Sequence, residues 1–172
     1  MRVLGVDPGS AITGWGILDG PRAQPRLVDS GVLRLGGSGV DFPERLHRLA
    51  TGLDELVRRF APAAAAVEAP FHGVNARSAL QLAHARGVVL ATLAGAGVPV
   101  TEYAPASVKM AVAGNGRAQK DQIRAMVERL LGLDELPGPS DRADAIAVAL
   151  CHVASAGHPQ ANARSSRARR PR

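Results

Sequence analysis

The stretch RVLGVDPGSAITGWGILD, Arg2 to Asp19, decides the fold. RVLGVD (Arg2 to Asp7) is a short run of β type that ends on an acid. PGSAITG turns the chain, and WGILD (Trp15 to Asp19) is a second run. RLVDSGVLRL (Arg26 to Leu35) follows another Pro/Gly turn, so three neighbouring strands form a meander. From Phe42 the apolar period lengthens: Phe42, Leu46, Leu49, Leu53, Leu56, Val57 and Phe60 share one helical face, with Asp41 and Glu44 spaced as a capping box. AAAAVEA (Ala63 to Ala69) returns to strand and again closes near an acid, Glu68. Asn75 to Ala96 reads as a long helix, VPVTEY (Val98 to Tyr103) as a fifth strand, and Pro105 to Gly114 as a short helix stopped by Gly114-Asn115-Gly116. Ile123, Met126, Val127, Leu130 and Leu131 mark an amphipathic helix. Beyond the break at Gly132 to Pro139, Ser140 to Ala156 is a last helix, apolar almost all round after its first turn and therefore buried. There are no internal repeats. The order β-β-β-α-β-α-β followed by helices predicts an α/β domain whose five-stranded mixed sheet, a meander at one edge and parallel strands beyond, is flanked by helices.

At 172 residues and 46% apolar, the chain fits one domain with a real core and excludes a multidomain enzyme or a disordered scaffold. Its one cysteine, Cys151, rules out a disulfide framework and a multi-cysteine zinc site and suits a reducing, cytoplasmic setting. No secretory signal and no span of about 20 apolar residues is visible, which predicts a soluble protein. The net charge of +6 is misleading until divided along the chain. Arg164, Arg167, Arg169, Arg170 and Arg172 crowd the last fifteen positions, and the rest holds 16 basic and 15 acidic residues. A basic groove in the body must therefore come from local arrangement. The domain is expected over residues 1–156, with 157–172 a disordered Arg-rich tail that is either inert or an accessory phosphate-binding arm.

Four carboxylates stand out by position. Asp7 and Glu68 each close an apolar strand, on the side where α/β sheets place their ligands. Asp141 and Asp144, three apart at the start of the last helix, share one face. Singly, each has an ordinary reading as a strand-end acid or a complement to the positive end of a helix. Together, converging acids repel unless a cation neutralises them. Hard oxygen ligands suit Mg²⁺ or Mn²⁺, and a two-metal site suits phosphodiester hydrolysis.

DPGSAITGWGILD (Asp7 to Asp19), VEAPF (Val67 to Phe71), NARSALQLAHARG (Asn75 to Gly87), YAPASVKMAVAGNGRAQK (Tyr103 to Lys120) and SDRADAIAVALCH (Ser140 to His152) occur in order, and together they resemble the RuvC family of bacterial Holliday junction resolvases. The resemblance runs from residue 1 to about residue 155. It implies a ribonuclease H-like fold and a homodimer. It also implies a divalent-metal nuclease that makes paired nicks in four-way DNA junctions, partnered by the RuvA and RuvB branch-migration proteins. It carries the catalytic, metal-binding acids onto Asp7, Glu68, Asp141 and Asp144. Some family members have a histidine in place of the third acid, where this chain has aspartate.

Phe71, one of five aromatic residues, either staples the next helix or stacks on an unpaired base, and the resemblance favours stacking. Lys109 and Lys120 are the only lysines beside 19 arginines. Lysine at these two places suggests sites that need a compact ammonium to hold phosphates beside the metals. Arg77, Arg86, Arg117 and Arg124 are further candidate phosphate contacts. His84 and His152 read as structural, as does His72 with a smaller claim to DNA contact. Small residues on several faces of the Asn75–Ala96 helix, in SALQLAHARG (Ser78 to Gly87) in particular, fit burial or a close helix contact across a dimer, and the resemblance decides for the dimer. Three rivals remain: an actin- or sugar-kinase-type phosphotransferase, which lacks room for its second domain; a related RNA-processing nuclease; and a catalytically silent junction-binding protein.

Overall fold

The computed structural model describes residues 1–37, 39–69 and 75–155. Three strands open the chain: β1 (Val3–Asp7), β2 (Ile12–Asp19) and β3 (Arg26–Arg34). They are followed by α1 (Phe42–Phe60), β4 (Ala64–Glu68), α2 (Ala76–Gly95), β5 (Val100–Tyr103), α3 (Pro105–Ala113), α4 (Lys120–Leu131) and α5 (Ser140–Ser155). The sheet order is β3-β2-β1-β4-β5. β1, β2 and β3 pair antiparallel, whereas β4 and β5 add parallel to β1. The expected five-stranded mixed sheet is therefore present. β2 begins at Ile12, three residues before the expected Trp15, because the buried Thr13 Oγ1 accepts from Gly9 N–H and donates to Gly9 O, carrying the hairpin up to the turn after Asp7.

Strand alternation divides the core in two. Leu4, Val6, Trp15, Ile17, Ala65 and Val67 pack with Leu49, Leu53, Val89 and Leu93 of α1 and α2. Val3, Leu18 and Ala66 face the other way, towards α3, α4 and α5. On that second face three neighbouring strand positions carry no side chain. Gly5 lies beside Gly16 in register, and Gly14 beside Asp7. A Cβ at Gly5 would collide with the Ala145 carbonyl, one at Gly14 with the Asp141 carbonyl, and one at Gly16 with Ile146 Cγ1 at 2.7 Å. These three glycines form a seat on which the backbone of α5 rests directly. α5 is accordingly buried from Ala145 to Cys151, and each fully buried Ile, Leu or Val there contributes about 1.5–3 kcal/mol of hydrophobic stabilisation.

One local expectation fails. Asp41 is the N-cap of α1 but makes no side-chain cap bond. Glu44 turns down the helix to Arg48 (2.9 Å) instead of back to Asp41, so the capping box does not form. Pro43 occupies the first turn, where its missing N–H costs nothing. Among the described residues no helix is long and apolar enough to cross a membrane.

Candidate active site

Asp7 ends β1 and Glu68 ends β4, and these strands are adjacent and parallel, with Val6 beside Val67. By alternation Asp7 joins Val3 and Gly5 on the α5 face, and Glu68 joins Ala66 there. α5 crosses the same end of the sheet, its Asp141 carbonyl lying over Gly14, the residue that pairs with Asp7. The glycine seat thus brings the helical acids to the strand-end acids. Asp7, Glu68 and Asp144 line a cavity of about 300 Å³ together with Lys109 and Lys120. Asp141 is not on its wall, but its charge acts on Asp7. A smaller cavity of about 100 Å³ opens on the α2 side of Asp7 and Glu68, bounded by Pro8, Leu82 and Arg86.

Crowded, desolvated carboxylates hold protons. Burial, then the Glu68 charge, then the hydrogen bond to Glu68, with smaller contributions from Asp144 and Asp141, push the Asp7 carboxyl up to about 9. Protonated Asp7 donates to the Glu68 carboxylate. Glu68 is itself raised, chiefly by burial and then by Asp144, while the Asp7 hydrogen bond, Lys120 and Lys109 hold it down. Lys120 Nζ donates to Asp144 Oδ2 at 3.1 Å, and Asp144 foremost raises the Lys120 pKa. The proton held at Asp7 and the Lys120 ammonium thus offset part of the negative charge crowded at this end of the sheet.

The other expected contacts divide. Lys109 and Lys120 stand with the acids. Arg77, in the first turn of α2, and Arg117, before α4, are exposed and line neither cavity. Arg86 lines the smaller cavity, but its guanidinium is ion-paired to Glu102 of β5, with Nε buried and without an acceptor among the described residues. Arg124 is engaged within the chain. It donates to the carbonyls of Leu136 and Gly138, because the connection after α4 folds back over it. Phe71 and His72 lie outside the described residues, as does the 157–172 tail. His84 packs edge-on against Phe42, and His152 Nδ1 meets the Tyr103 hydroxyl at 3.0 Å, both structural roles. Sequence reasoning passed over Arg142, whose Nε donates to the buried Ser30 Oγ at 2.8 Å. It also passed over the glycine seat, although Gly14 and Gly16, two apart on one strand, were a readable sign of close helix approach.

A mixed sheet of this order, with acids at the ends of its central strand and that strand's parallel neighbour and more on the helix lying across them, is the ribonuclease H-like architecture of a nuclease. The chain matches the family model Crossover junction endodeoxyribonuclease RuvC over residues 3–152. A crossover junction endodeoxyribonuclease RuvC of Chloroflexus aurantiacus is 49% identical over 156 residues, 91% of this chain and 94% of that one. The Thermus thermophilus RuvC structure superposes with a TM-score of 0.82 at 39% identity, covering 91% of this chain and 96% of that one. T. thermophilus RuvC in complex with Holliday junction substrate gives a TM-score of 0.82 at 36% identity, with the same coverage. The chain belongs to the RuvC family of crossover junction endodeoxyribonucleases.

The family is one of metal-dependent nucleases, and the donor set here suits a hard divalent cation: carboxylate oxygens, one already forced to keep a proton by its neighbours. Among the described residues no three His, Cys, Asp or Glu side chains are yet gathered closely enough to hold an ion.

Proposed function

We propose that Asp7, Glu68, Asp141 and Asp144 are the metal-binding catalytic acids with which this chain resolves Holliday junctions, by paired phosphodiester hydrolysis in homologous recombination and DNA repair. The observation that carries this reading is the Asp7 carboxyl, buried beside Glu68 at the strand ends, under the influence of Asp144 and Asp141 of α5, and sharing one cavity with two lysines. The acids suit Mg²⁺, with Mn²⁺ able to substitute, two ions per site; when bound, such ions activate the attacking water and stabilise the leaving oxygen. Asp7, closing β1 beside the end of β4, would hold the ions together with Glu68, Asp141 and Asp144. Lys120 exchanges Asp144 for a DNA phosphate, so its ammonium serves the resting site and the complex in turn, and Lys109 holds a second phosphate from the same wall. The products are a 5′-phosphate and a 3′-hydroxyl, suited to ligation.

Phe71 is assigned to stacking on an unpaired base of the junction. Arg77 and Arg117, both exposed, are assigned to outlying phosphates. The active form is a homodimer built on α2. Leu80, Ala83, Gly87, Ala91 and Ala94 make one exposed stripe opposite the buried Ala85, Val89 and Leu93. A Cβ on Gly87 would meet nothing within 4 Å among the described residues, leaving space for a second helix. Two sites related by a twofold axis match a junction with the same symmetry. RuvA and RuvB are the branch-migration partners, the compartment is the cytoplasm, and residues 1–156 form the nuclease domain. Asp7→Asn should abolish cleavage while junction binding persists; cleavage that survives would overturn the assignment of the acids.

A further inference from the structure

α4 and α5 are joined by residues 132–139, a connection without helix or strand, with Gly132 and Gly138 at φ of 64° and 103° and prolines at 137 and 139. Such a segment makes few hydrogen bonds of its own and cannot by itself fix where the next helix begins. Two arginines do so. Arg124 donates to the Leu136 carbonyl and, at 3.4 Å, to that of Gly138. Arg142 Nη1 donates to the intervening Pro137 carbonyl at 2.9 Å. Glu128 Oε1 accepts the Leu136 N–H at 2.9 Å and Arg124 Nε at 3.4 Å, which orients the first arginine. Arg142 Nε reaches Ser30 on β3, tying the start of α5 to the edge of the sheet. Leu136 plugs into the core beneath.

We infer that Arg124 and Arg142 form a clamp that sets the placement of Asp141 and Asp144, and are positioning residues for the metal-holding acids rather than contacts to DNA. The inference rests on the reading of those acids given above. Arg142 lies between them in sequence, but about 100° round the helix from Asp141 and about 160° from Asp144, so it faces β3 and cannot join their side. Its planar fork spans Ser30 Oγ and the Pro137 carbonyl at once, which the single ammonium of a lysine cannot do. The glycine seat fixes the height of α5 above the sheet, and the clamp fixes its first turn, where both acids are carried. A divalent ion tolerates little error in ligand position, so a loosened first turn is felt as lost metal affinity.

The test is calorimetric titration of Mn²⁺ into the full chain and into Arg142→Ala, Arg142→Lys and Asp144→Asn, with thermal melting and junction binding in EDTA alongside. Arg142→Ala should weaken Mn²⁺ binding about 10-fold or more, the usual cost of losing a group that orients a metal ligand. Arg142→Lys should not rescue it, and junction affinity in EDTA should stay unchanged. The metal concentration for half-maximal cleavage should rise by the same factor, with the rate recovering at saturation. If Arg142→Ala does not fold, Ser30→Ala is titrated in its place and should show a smaller weakening in the same direction. If Asp144→Asn weakens Mn²⁺ binding while the clamp variants bind like the parent, the clamp is refuted. Loss of junction affinity alone in Arg142→Ala would make it a DNA contact and refute the clamp equally. If Asp144→Asn binds Mn²⁺ as tightly as the parent, the reading of the acids fails first.

Discussion

Replacing Asp7 with asparagine should stabilise the metal-free protein, and more so as the pH rises. The folded state holds the Asp7 proton up to about 9, whereas an unfolded aspartate releases it near 3.8. Between those values ionisation favours the unfolded chain, so stability falls as pH climbs from about 4 to about 9 and levels off beyond. At pH 8 about four pH units of that window have been crossed, at about 1.36 kcal/mol each, which sets a ceiling of about 6 kcal/mol. Asparagine is nearly isosteric, carries no proton to lose, and still offers an N–H to Glu68. Allowing for relaxation around Glu68, the gain at pH 8 should be about 2–6 kcal/mol, or roughly 5–20 °C in Tm for a chain of this size. The assay is thermal melting of parent and Asp7→Asn in EDTA at half-unit steps from pH 4 to pH 9. The two curves should meet near pH 4 and separate steadily above it. A gap that does not change with pH, or an asparagine variant less stable than the parent at pH 8, would refute the claim that Asp7 is a buried acid crowded by acids.

Three further outcomes follow from the same geometry. Gly5→Ala drives a Cβ into the Ala145 carbonyl and should cost about 3 kcal/mol in urea denaturation with the m-value unchanged; a variant as stable as the parent would mean α5 does not rest on the sheet as described. Lys120→Ala should lower junction cleavage about 100-fold, and Lys120→Arg should restore it only partly, since a guanidinium does not replace a compact ammonium at Asp144; full rescue by arginine would remove the case for lysine at this position. Leu80→Asp, on the exposed stripe of α2, should turn a dimer into a folded monomer in sedimentation equilibrium, and a variant still dimeric would place the interface elsewhere.

The sheet was legible because its signals are local. The short apolar runs in Arg2–Asp7 and Ala63–Ala69, and the turns at Pro8-Gly9 and Gly20-Pro21, need no knowledge of distant residues. The acids were legible for a related reason: Asp7 and Glu68 end buried strands, and topology alone then puts both at one rim. What could not be read were contacts made across the chain. Arg124 shows in sequence as a positive charge near a lysine, and nothing local reveals that the Leu136 and Gly138 carbonyls return to it. Arg142 is hidden similarly, its partner Ser30 lying 112 residues away. The capping box at Asp41 was a local pattern outbid by another local pattern, the Glu44–Arg48 pair one turn on. The bareness of Gly5, Gly14 and Gly16 was visible, but its meaning depended on which helix crosses them.

The most direct test of the whole account is cleavage of a synthetic four-way junction beside a linear duplex of the same sequence, with Mg²⁺, with Mn²⁺ and with EDTA. Paired, symmetric nicks confined to the junction and dependent on the metal are the predicted result. Equal cutting of duplex and junction, or tight junction binding with no cutting under either metal, would contradict it.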